Sequence, residues 1–227
     1  MSQMATLLVA VALVAACHRL IKSYPVVFCG LAAAVACFGV YFTYQPSPVE
    51  AVRAMAFAIQ KGHAGFAFLV IVMFTGVFGE SSAPRRALQP IRGELSLIAV
   101  ILMAAHFVPY VISYGNMLGM LGSLRPSIVA GLAVAVVVLV LFCVLAVTSV
   151  KRVKHAMNAR RWKQVQALAY GFFALIFVHL LGYLIVPAQA GAPEALTTLG
   201  FYTLVFGAYA ALRLRRWRLD RRSALAG

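Results

Sequence analysis

Two imidazoles stand where hydrocarbon is expected: His106 in LSLIAVILMAAHFVPYVISY and His179 in ALAYGFFALIFVHLLGYLIVP. A polar, ionisable side chain inside a membrane span is costly and marks a functional site by default. Two of them at similar depth on two helices fit one bound object gripped from both sides. Axial ligation of a haem iron is the chemistry that uses such a pair best, because two imidazoles fill both axial positions, leave no open site for O₂ and favour electron transfer. The competing reading is two unrelated polar residues, each hydrogen-bonded to a neighbouring helix.

The elements that must position these residues are membrane helices. Of 227 residues, 63% are apolar and only 11% are charged, whereas a soluble domain carries about 25% charged residues. A span needs about 20 apolar residues. Seven stretches are candidates, the first and third of them short: Met4–Cys17, Pro25–Tyr44, Ala64–Gly79, Leu95–Tyr114, Ile128–Val150, Val165–Val186 and Ala195–Leu212. The expected fold is therefore all-α, a polytopic membrane helix bundle of about seven transmembrane helices. Ser47–His63 has helical periodicity and reads as a short interfacial helix on the outer face.

The net charge of +15 comes from 20 basic and 5 acidic residues. In a soluble protein that excess points to nucleic acid. Here the basic residues lie between the spans and report topology and contact with anionic membrane lipid. One set of connectors holds 17 of the 20: Arg19 and Lys22; Arg85, Arg86 and Arg92; the run from Lys151 to Lys163; and six arginines from Arg213 to Arg222. The other set holds Arg53, Lys61 and Arg125. The positive-inside rule places the N-terminus outside and the C-terminus in the cytoplasm. No basic region precedes the first apolar run, so that run reads as an uncleaved anchor, not a signal peptide.

Helix rise sets the depth of the two histidines. His106 lies about 18 Å beyond Glu94, and His179 about 25 Å beyond Trp162. Both fall in the central or outer half of the membrane, on spans that run in the same direction. Ala104, Ala105, Gly171 and Gly182 let a bulky ring approach, and Pro109 frees the carbonyl of Ala105. His18, His63 and His155 read as solvated or interfacial, with His63 kept as an outer-face proton or cofactor contact. Cys17, Cys29, Cys37 and Cys143 form no CxxC and read as small packing residues. No span contains a buried Asp or Glu, which argues against a proton-coupled transporter. HExxH, GxSxG, P-loop and GxGxxG patterns are absent, so no soluble catalytic chemistry is encoded.

Three segments resemble the ferric-reductase-like transmembrane family, and most closely its haem-binding membrane subunits of periplasmic methionine sulfoxide reductase systems. They are PVEAV at Pro48–Val52, TGVFGESSAPRRALQPIRGELSLIAVILMAAHF, and TSVKRVKHAMNARRWKQVQALAYGFFALIFVHLL. The likeness covers about 130 residues, from Pro48 to His179, and the first and last haem histidines of the family match His106 and His179. The family's middle histidine falls on Gln166, an amide that is a poor axial ligand. The resemblance thus implies one haem b, ligated by His106 and His179. A second haem would need another ligand, such as His63 or His155. Gln166 also keeps open a non-redox alternative: a membrane anchor, an assembly subunit or a transporter that has lost haem.

The resemblance divides the chain into four parts. Residues 1–44 carry two N-terminal helices, the first additional to the family core. Residues 45–63 are the outer-face segment, 64–187 the haem-binding core, and 188–227 the last helix and basic tail. It implies a multi-pass subunit of the bacterial cytoplasmic membrane that takes electrons from quinol or a redox partner such as a flavoprotein. It passes them to an extracytoplasmic reductase. Such a chain is an electron-transfer subunit with no catalytic domain of its own, with quinone as a further cofactor and no role for nucleic acid.

Overall fold

The computed structural model describes residues 2–116 and 118–226. Among them there are helices and no strand, as an all-α fold requires. The order is α1 (Gln3–Ser23), α2 (Pro25–Tyr44), α3 (Glu50–Gln60), α4 (His63–Phe74), α5 (Ala83–Leu88), α6 (Arg92–Asn116), α7 (Pro126–Ser149), α8 (Lys151–Ala156), α9 (Ala159–Gln189) and α10 (Pro193–Ala226). Six helices are long and apolar enough to cross a membrane, or seven spans if the bent pair α3–α4 counts as one. Large apolar side chains such as Val26, Val136, Val140 and Leu204 stand exposed along them, the surface that lipid covers.

Local chemistry sets the helix limits. Ser2 caps α1 by accepting the Ala5 N–H, and Asn158 caps α9 by accepting the Arg160 N–H. Pro25, Pro126 and Pro193 open α2, α7 and α10, where a missing N–H costs nothing. The second span has the limits its sequence predicts, Pro25–Tyr44. The third does not. α4 stops at Phe74 and gives way to a 3₁₀ turn over Thr75–Val77. Its 12 residues rise about 18 Å, short of the roughly 30 Å hydrocarbon layer. α3 and α4 meet at a 52° bend, with Gly62 left-handed at φ 78°. The segment read as interfacial and the short third span form one bent pair of helices, together apolar and long enough to cross a membrane.

A second correction concerns Glu94. The predicted span begins at Leu95, but α6 begins at Arg92 and takes Glu94 into its first turn, 9% exposed. A buried carboxylate therefore exists inside an apolar helix. The expectation that none does no longer weighs against proton coupling.

The chain forms two compact units, residues 1–113 with 208–227, and residues 114–207. In the first, α4 is the buried helix, closed off from Gly65 through Met73, with α1 packed against it and α2 against α3. Ala36, Ile59 and Ala105 form a small core with Phe38, Val40, Ala64 and Ile101 around it. In the second, α7 packs along α9. The two backbones come close where Gly182 faces Gly131: a Cβ on Gly182 would lie 2.9 Å from the Gly131 Cα. Phe142 stacks on Phe172, and Phe173 on Phe206, with ring centroids 6.1 and 4.5 Å apart.

Candidate functional site

His106 is built into the first unit from the α3–α4 bend. α3 ends at Gln60, so its last carbonyls have no helical partner. The Gln60 carbonyl instead accepts the His106 Nδ1–H at 2.8 Å. The imidazole rests on the turn that follows, where a Cβ on Gly62 would come within 3.1 Å of the His106 Cγ. Glycine thus serves twice here, by taking the left-handed conformation and by leaving room for the ring. Lys61 reaches out of the same turn to donate to the Tyr110 hydroxyl at 2.8 Å. Its ammonium also sits over the rings of Phe57 and Tyr110, 5.5 and 5.6 Å from their centroids.

His179 is held by the second unit in a parallel way. Its Nδ1–H is directed at the Gly131 carbonyl on α7, 3.3 Å away. A carbonyl can only accept, so in both histidines Nδ1 carries a proton and Nε2 is the nitrogen left to bind a ligand. A tyrosine follows one turn later in each helix. The His106 and Tyr110 ring centroids are 5.1 Å apart, and so are those of His179 and Tyr183. The repeated spacing His-x₃-Tyr, in HFVPY and HLLGY, is the sequence signal for this shared arrangement. His106 belongs to the first unit and His179 to the second.

Among the remaining histidines, the sequence underrates His63. It opens α4 and is 8% exposed, and its Nδ1 is buried without a hydrogen-bond partner. Its ring lies edge-on to Phe57 at 6.3 Å, within electrostatic reach of His106. His18 is half-buried, with its ring on the Ala15 carbonyl of its own helix. His155 lies in the short basic helix α8.

Gln166 has a definite task. Its side-chain N–H donates to the Thr148 hydroxyl at 3.0 Å, and the Trp162 indole N–H, one turn earlier, donates to the Thr148 carbonyl at 3.0 Å. The Thr148 hydroxyl in turn donates to Val144 at 2.8 Å. The TS…RRW…Q segment is therefore a hydrogen-bonded latch between the end of α7 and the start of α9. Lys154 lies over the Trp162 ring at 4.7 Å.

Among the described residues, no three His, Cys, Asp or Glu side chains converge on a metal-sized site. Haem iron needs no such trio from protein, since the macrocycle supplies four nitrogens and the chain only the axial ligands. The donor set fits haem in kind: two imidazoles, each oriented by a backbone carbonyl through its other ring nitrogen, as metal-ligating histidines commonly are.

No protein-family profile matches the chain, and no solved structure matches it. It is similar to an uncharacterized protein of Treponema pallidum (strain Nichols), 32% identical over 230 residues. That alignment takes in 100% of this chain and 63% of the relative, so the chain spans somewhat under two thirds of the relative's length.

Proposed function

We propose that the chain is a b-type cytochrome subunit of a bacterial cytoplasmic membrane, of the ferric-reductase-like kind, with His106 and His179 as the axial ligands of one haem. The observation that carries this reading is the matched treatment of the two imidazoles. Each donates Nδ1–H to a backbone carbonyl of another helix, at 2.8 Å to Gln60 and at 3.3 Å to Gly131. That bond fixes the tautomer, raises the basicity of Nε2 and holds the ring plane. Held by these two residues, haem would supply one-electron transfer. The apolar helices exclude water from the ligands, and the basic connectors set an N-terminus-outside, C-terminus-inside topology. Quinol or a redox partner is the donor, and an extracytoplasmic reductase the acceptor. The chain itself contributes conduction and no catalytic domain.

The test is haem quantitation per polypeptide with a reduced-minus-oxidised spectrum of protein purified from haem-replete cells. One haem with a reducible Soret band is expected. Colourless protein would sink the reading in favour of the non-redox alternative, a membrane anchor, assembly subunit or transporter. Two observations favour that alternative: the broken pair α3–α4, a geometry that transporters use to expose backbone to a substrate, and the engagement of Gln166 with Thr148.

A further inference from the structure

The close approach of α7 and α9 leaves hollows beside it. Gly131 faces Gly182 at the contact, and side chains this small, with Ser127 and Ala130 on the same helix as Gly131, do not fill the surface around it. Two adjoining cavities result, of about 290 and about 320 Å³, and Ser127 and Gly182 stand in the walls of both. Both lie within the second unit.

The two differ in chemistry. The first is walled by Ala130, Val134, Leu181 and Ile185 and, Ser127 apart, offers a ligand only hydrocarbon. The second opens at the start of α7, with Arg125 and Tyr183 in its wall. Val134 lies nine positions beyond Arg125, about 14 Å at 1.5 Å per residue. That is the depth of one leaflet, half of a hydrocarbon layer of about 30 Å. A cation at the mouth and one leaflet's depth of apolar wall below it match a lipid, headgroup first and acyl chain after.

The cation is available. Arg125 is exposed, and among the described residues its guanidinium makes no hydrogen bond and no ion pair. In this it differs from Arg85, Arg213 and Arg216, which are engaged by the Phe78 carbonyl, the Gly76 carbonyl and the Asp220 carboxylate. Tyr183 beside it is a residue type that favours the membrane–water interface. The acceptor abundant at that depth is lipid phosphate, which the guanidinium fork matches with two parallel hydrogen bonds. Charge complementarity selects an anionic head, because a zwitterionic lipid brings a cation of its own.

We propose that Arg125 holds the phosphate of an anionic phospholipid and that an acyl chain of that lipid lies in the cavity walled by Ala130, Val134, Leu181 and Ile185. So placed, the chain packs against Gly131, whose carbonyl receives the His179 Nδ1–H.

The test uses the full chain, delipidated in phosphate-free detergent. Phosphatidylglycerol, phosphatidylcholine and inorganic phosphate are added separately, with the thermal midpoint and retained lipid in native mass spectra as readouts. Phosphatidylglycerol is expected to raise the midpoint and to stay bound, phosphatidylcholine to bind more weakly, and inorganic phosphate to have no effect. Arg125→Gln should weaken phosphatidylglycerol about tenfold, the scale of one charge-assisted hydrogen bond, and so remove its advantage over phosphatidylcholine. Ala130→Phe fills the apolar cavity and should weaken both lipids; if it does not fold, Arg125→Gln still decides. Two controls should change neither: Arg160→Gln, an exposed arginine at the start of α9, and Val136→Phe, exposed on α7 outside both cavities. Four outcomes overturn the proposal: phosphatidylglycerol bound no better than phosphatidylcholine, an unchanged response in Arg125→Gln, an equal loss in either control, or the whole effect obtained with inorganic phosphate.

Discussion

His106 donates its Nδ1–H to the carbonyl of Gln60, a residue 46 positions earlier, at 2.8 Å. The bond joins the middle of α6 to the bend of α3–α4, where α3 stops and its carbonyls are left over. The bend therefore has a structural use: it supplies the acceptor that orients an imidazole.

The ligand assignment predicts three spectra. Alanine at His106 or at His179 should each lower haem per polypeptide and change the Soret band of any haem retained, because one of the two iron–imidazole bonds is lost. His63→Ala should keep the Soret band. Loss of haem in His63→Ala together with retention in His179→Ala would transfer the second ligand to His63.

Gly62 and Gly191 share φ 78° but differ in surroundings. A Cβ at 62 meets His106 at 3.1 Å, and one at 191 meets nothing within 4 Å. Each alanine variant should cost about 1–2 kcal/mol for the left-handed backbone. Gly62→Ala alone should cost more and shift the haem absorption. Equal thermal midpoints and identical spectra would show that the His106 contact carries no weight.

A paired comparison probes the close helix approach in the second unit. Gly182→Ala drives a Cβ to 2.9 Å from the Gly131 Cα, while Gly171, on the same helix, has open space around it. Overpacking predicts a loss of about 1–3 kcal/mol for Gly182→Ala. Gly171→Ala should gain up to about 1 kcal/mol from helix propensity. Thermal melts in one detergent decide between this and no difference.

The Thr148 latch is testable by a double-mutant cycle. Gln166→Leu and Trp162→Phe should each cost about 1 kcal/mol, the value of one hydrogen bond. Gln166→Leu and Thr148→Val should be coupled by about 0.5–1 kcal/mol. Additive losses would mean that Gln166 acts elsewhere.

The sequence alone determined the helical, membrane-embedded character. It also determined the second span to the residue, since apolar run length and a leading proline are local properties, fully written in Pro25–Tyr44. It singled out His106 and His179, because an imidazole among leucines and phenylalanines is conspicuous in one dimension. Tertiary structure decided what depends on pairs distant in the chain: which carbonyl holds each ring, that His63 is buried with an unmatched nitrogen, and that Gln166 serves Thr148. It also carried Glu94 into α6 and brought Arg213 to the end of α4. A backbone carbonyl has no letter of its own. Where one is left over follows from where a helix breaks, and what comes to meet it from how the helices pack.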